Sequence, residues 1–120
     1  MDIVLRQRIN ILIHLAEIES ATSSSPEFEM IKRVAKGSNF SQKDLISLIK
    51  SPDPIGSFGA LSESQKKIYM YNICELMSLI DLNQQKRLFC QELAYNLSYD
   101  INQMNMIFEE FRNRSQLQFG

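Results

Sequence analysis

Apolar residues recur at three- and four-residue spacing through most of the chain, and the breaks between these runs carry helix-stop and helix-start residues. The best-specified run is LSESQKKIYMYNICELMSLI, from Leu61 to Ile80. Ser62 is a natural N-cap, Gln65 completes a capping box, and Glu63 places negative charge in the first turn. Ile68, Ile73, Leu76 and Ile80 mark an apolar face, widened by Tyr69, Met70, Cys74, Met77 and Leu79. Apolar positions cover more than half the circumference, which predicts a central, largely buried helix.

Five further helices follow from the same reading. The first runs from about Ile3 to Ser20, with Val4, Ile9, Leu12, Ile13, Leu15, Ala16 and Ile18 apolar on most sides. ATSSS, from Ala21 to Ser25, breaks it. Ser25-Pro26 restarts a helix to about Lys36, because serine caps and proline suits the first helical position. Phe28, Ile31, Val34 and Ala35 point inward, and Gly37 is expected to form the C-cap. Phe40 plugs the turn. Ser41 with Asp44 opens a third helix through Leu45, Ile46, Leu48 and Ile49, ended by Ser51-Pro52. Asp81 or Asn83 starts a fifth, with Leu88, Phe89, Leu93 and Ala94 as its spine. Asp100 with Gln103 caps a sixth through Met104, Ile107, Phe108 and Phe111.

The halves repeat at an offset of 59 residues, pairing Val34-Ala35 with Leu93-Ala94, Phe40 with Tyr99, Ser41 with Asp100, and Leu48 with Ile107. The expected fold is all-α: about six helices in two pseudo-repeated three-helix halves around two central long helices. One domain over 1–120 is expected, with halves at about 3–50 and 61–114, a connector at 51–60 and a frayed tail at 115–120. The connector, SPDPIGSFGA, holds two of the three prolines and two of the four glycines.

Composition narrows the function classes. At 120 residues, 44% hydrophobic and 22% charged, the chain is long enough for a core without disulfides. A net charge of −1 provides no global field for nucleic acid or an anionic membrane. No apolar run is long enough to span a bilayer. Asn10, His14 and Glu17 interrupt the N-terminal apolar run, so it reads as a core helix and the protein as cytoplasmic. Cys74 and Cys90 form no CxxC motif and read as buried free thiols. His14 has no Cys or His in helical register, and no nucleotide-binding glycine motif or catalytic triad is recognisable. No catalytic or cofactor-binding residue is therefore assigned.

Three segments carry a family resemblance: FSQKDLISLIKSPDPIG, LSESQKKIYMYNICELM and RLFCQELAYNLSY. Together they resemble the TerB-like family associated with tellurite resistance, in particular its small stand-alone bacterial members, over roughly Ile9 to Phe111. The resemblance implies a compact helical domain whose two halves each carry an Asp-Gly turn after the long helix. It also implies that those turns, with a further acid, form acidic sites able to hold a metal ion. Hard divalent cations suit such sites because they need several converging oxygens.

This chain departs from that pattern. The first Asp-Gly position reads Glu19-Ser20, with Glu27 the next acid, and serine fits a positive-φ turn less well than glycine. In the second half Asp81 stands near the expected turn, while Lys86 and Arg87 occupy places where carboxylates would help. Glu19, Glu27 and Asp81 are thus the residual metal candidates, for a weakly bound divalent cation at most. Phe58 in the connector and Tyr71 on the central helix are the partner-binding candidates. Met70, Met77, Met104 and Met106 read as core. The expected function is a non-enzymatic interaction or accessory domain, tied through the resemblance to a stress response. It would act as a monomer or homodimer on an unidentified protein partner; the alternative is a divalent-metal sensor using the residual acidic turns.

Overall fold

Four residues that stand in extended backbone turn a side-chain oxygen onto the chain three residues ahead, and each starts a helix. The N–H of Phe28 donates to Ser25 Oγ at 3.3 Å, and that of Asp44 to Ser41 Oγ at 3.1 Å. The N–H of Gln65 donates to Ser62 Oγ at 3.1 Å, and that of Lys86 to Asn83 Oδ1 at 2.8 Å. These bonds satisfy donors that the first helical turn leaves unpaired. The N–H groups of Ser62 and Asp100 donate in return to Gln65 Oε1 and Gln103 Oε1, so the capping boxes predicted at Ser62 and Asp100 form.

The computed structural model describes residues 3–17, 25–55, 61–80 and 83–119. Among them are six α-helices and no strand: α1 (Ile3–Ala16), α2 (Pro26–Gly37), α3 (Gln42–Lys50), α4 (Glu63–Met77), α5 (Gln84–Asn96) and α6 (Ile101–Phe119). The fold class is all-α. By its contacts the chain divides into two units, Met1–Gly56 and Ser57–Gly120, and the division falls inside the predicted connector. In the first unit α2 packs against α1 and α3; in the second, α6 packs against α4 and α5.

The 59-residue repeat has a backbone cause. Both α2 and α5 end in the same Schellman corner. The N–H of Phe40 donates to the Ala35 carbonyl and the N–H of Tyr99 to the Ala94 carbonyl, each at 2.8 Å. The inner bonds run from Asn39 to Lys36 at 3.3 Å and from Ser98 to Tyr95 at 3.0 Å. Asn39 and Ser98 hold left-handed φ values of 61° and 67°. The C-cap expected at Gly37 is therefore displaced: Gly37 is the last residue of α2, and asparagine takes the left-handed position. Phe40 is buried, as a plug should be.

Other differences concern faces and ends. α1 stops at Ala16, not Ser20, and Glu17 takes a left-handed φ of 54°. α6 continues to Phe119 through residues expected to fray, so it is no counterpart in length to α3. On α4, Tyr69, Met70, Ile73, Cys74, Leu76 and Met77 are buried, whereas Ile68 is 46% exposed. At about 100° per residue, Ile68 lies nearly opposite the midline of that buried set. Leu79, in the turn beyond α4, is also exposed. On α5 the same geometry buries Cys90, Leu93 and Ala94 and turns Leu88 outward. Met106 is exposed on α6, while Met70, Met77, Met104 and the overlooked Met30 are core.

Leu76 has no exposed surface. Leu76→Ala is expected to cost about 2–5 kcal/mol in equilibrium unfolding by urea. A loss within about 0.5 kcal/mol, as for surface substitutions, would contradict its place in the core.

Candidate functional site

The most concentrated polar chemistry among the described residues lies where the chain leaves α3. Asp53 sits between Pro52 and Pro54, neither of which has a backbone N–H. Proline after it also restricts Asp53 to extended backbone. Asp53 is thus the sole backbone donor of its tripeptide, and α1 accepts that donor. Arg6, Asn10 and His14 stand four residues apart on α1, which places them on one stripe of a mostly apolar helix.

The three side chains engage Asp53 in sequence. Arg6 grips the carboxylate with two bonds, Nε to Oδ2 at 2.7 Å and Nη2 to Oδ1 at 3.1 Å. Asn10 pairs with the backbone as a second strand would: its Nδ2 donates to the Asp53 carbonyl and its Oδ1 accepts from the Asp53 N–H, both at 2.9 Å. His14 Nε2 lies 2.8 Å from the same carbonyl. A carbonyl only accepts, so Nε2 carries the proton and its lone pair is unavailable to a metal. Asn10 is 2% exposed, and its amide would be costly there without these bonds.

The electrostatics follow the geometry. The Arg6 hydrogen bond and charge hold the Asp53 carboxyl below the usual carboxylate range, against a smaller opposing effect of burial, with His14 adding to the depression. The same bond raises Arg6, against burial, with further help from the charges of Asp53 and Asp44. Asp53 side-chain exposure is 42% and that of Arg6 is 31%, so water screens the pair.

The second unit holds the two free thiols, both buried. Burial, reinforced by the neighbouring Cys90, pushes the Cys74 thiol up to about 12. Burial pushes Cys90 up to about 12 as well, with Arg87 opposing. Cys74 Sγ donates to the Met104 carbonyl at 3.6 Å. Tyr99 is raised by burial first and then by Glu63, Tyr71 and Cys74.

Of the residues singled out from sequence, Glu27 lies half-buried in the first turn of α2. Its neighbour Glu29 is bound to Lys32 at 2.8 Å. Glu19, Asp81 and Phe58 lie outside the described residues. Among those described, no group of three or more His, Cys, Asp and Glu side chains converges on a point. Tyr71 is half-buried and packs edge-on against Phe111, ring centroids 5.8 Å apart, with Lys67 Nζ 5.7 Å from its ring. Tyr69, two residues earlier on α4, is core.

Sequence reasoning passed over Arg6, Asn10 and Asp53. The signals were the i, i+4, i+8 stripe of hydrogen-bonding side chains in α1 and the aspartate enclosed by prolines. It also passed over the outer face of α5, where Leu88 and Tyr95 are 54% and 79% exposed. They border a shallow hollow with Gln85, Phe89, Gln91 and Glu92.

No helix among the described residues is long and apolar enough to cross a membrane. Comparison of the chain with family models, curated proteins and solved structures finds no match in any of the three.

Two outcomes are expected. A depressed folded-state value means that Asp53 ionisation stabilises the fold above the unfolded-state value and that this contribution fades as pH falls through the folded one. The stability difference between wild type and Asp53→Asn should therefore be steady near neutrality, at most about 1 kcal/mol. It should shrink below about pH 4 in urea unfolding series. Secondly, dithiobisnitrobenzoate at pH 8 should label neither thiol in the folded protein and both after denaturation. Rapid labelling without unfolding would contradict the buried placement.

Proposed function

We propose that the chain is a non-enzymatic, TerB-like helical module that works by binding another protein. Its expected setting is cytoplasmic and, through the resemblance, a tellurite-type stress response. The observation that carries the binding role is the outer face of α5. Leu88 and Tyr95 sit seven residues apart, so they share one face at about 100° per residue. That face lies opposite the buried Cys90, Leu93 and Ala94, with Gln85 and Glu92 beside it. A large aliphatic and a large aromatic side chain turned outward together, rimmed by polar groups, suit a protein contact better than a solvated surface.

The resemblance supports the scaffold of this reading. Two halves of related pattern are what it implies, and the paired Schellman corners supply a structural basis for their repeat. Tyr71, by contrast, already spends its ring on Phe111 and Lys67, leaving α5 the stronger candidate surface.

A photo-crosslinking residue in place of Tyr95 tests this in cells. The expected result is a discrete protein adduct that disappears when Leu88→Ser is added and is absent when the probe replaces Glu110 on α6. No adduct from position 95, or the same adducts from both positions, would defeat the reading.

A further inference from the structure

We propose that Asp53 is a polar clasp that fastens the start of the connector to α1 and opens independently of the apolar core. The argument rests on what does and does not hold this segment. Ser51, Pro52, Pro54 and Ile55 are exposed, and only Asp53 is partly covered. No apolar burial comparable to that of Leu48 or Ile49 secures the segment. Beyond the Ser51 N–H bond to Ser47 that ends α3, its attachment to α1 includes two bonds from Arg6, two shared with Asn10 and one from His14.

Every one of those bonds to α1 converges on a single residue, so they form and break together. Rotating Asp53 away from α1 would expose the Asn10 carboxamide and the His14 Nε2–H to water without uncovering the core side chains of α1. Water can replace each lost bond, whereas it cannot replace apolar packing. The flanking prolines suit such a device. They limit the conformations available to the released segment, which lowers the entropy gained on opening and keeps it poised to close again. Opening of this kind belongs to the low-stability end of native-state fluctuations, below global unfolding.

The Asp53 amide reports the clasp directly, because its hydrogen is held by Asn10 Oδ1. Native-state hydrogen exchange by NMR on the full chain, in wild type and Arg6→Gln, compares it with the Leu48 amide inside α3. The Asp53 amide is expected to be protected, yet to exchange faster than Leu48. Arg6→Gln should speed it by about two- to fivefold, the range for a partly exposed ion pair, and leave Leu48 unchanged. Raising salt to about 1 M, where screening is nearly complete, should reproduce the effect in the wild type without any substitution. An unprotected Asp53 amide would show that no clasp forms. Equal exchange at Asp53 and Leu48, or indifference of Asp53 to both Arg6→Gln and salt, would show that the contact does not open as proposed. Either result overturns the inference.

Discussion

A carboxamide buried in an apolar helix has to be paired, and much of the first unit answers to that requirement. Asn10 is flanked along the chain by Ile9, Ile11, Leu12 and Ile13, all essentially without exposed surface. Unpaired, its amide would oppose the burial of those neighbours. The partner has to offer a donor and an acceptor in peptide geometry, and the backbone of Asp53 does so. Arg6 and His14, a turn away on either side, then fix which residue is taken. An apolar side chain at position 10 would bury more easily, but it would hold no particular residue of the connector. The polar stripe therefore specifies register, and the surrounding apolar positions provide most of the adhesion.

The second unit is organised differently. Its core is built from α4 side chains together with Cys90, Leu93, Ala94, Leu97 and Met104, and the Cys74 thiol within it donates to the Met104 carbonyl. Tyr71, Phe111 and Lys67 close its margin through an edge-on aromatic contact and a cation over a ring face. Both units nonetheless turn the chain with the same corner after α2 and α5, which shows that a shared backbone device can serve different interiors.

Much of the fold was legible because capping is a local code. Ser25, Ser41, Ser62, Asn83 and Asp100 act within three residues of themselves, so their neighbours in sequence suffice to identify them. Faces were harder to assign where apolar residues encircled a helix. Ile68, Leu88 and Met106 are as apolar as the residues that are buried, and only packing against particular neighbours separates the two groups. The Asp53 cluster was obscured for another reason: Asn10 and Asp53 stand 43 residues apart, and neither belongs to a recurrent catalytic or metal-binding spacing. A polar residue inside an apolar stripe signals that a partner exists. It does not say where the partner lies along the chain.

The corner after α2 has a kinetic consequence. Its bonds join residues only three to five positions apart, from Val34 to Phe40, so the reversal into α3 can form before any distant contact is made. Little loop-closure entropy is lost at that step, and the two helices it joins are delivered to each other already oriented. A chain built on such corners is expected to spend little time as a collapsed but unsorted globule. The slower task is left to the contacts that span long stretches, among them the union of α1 with the segment that follows α3.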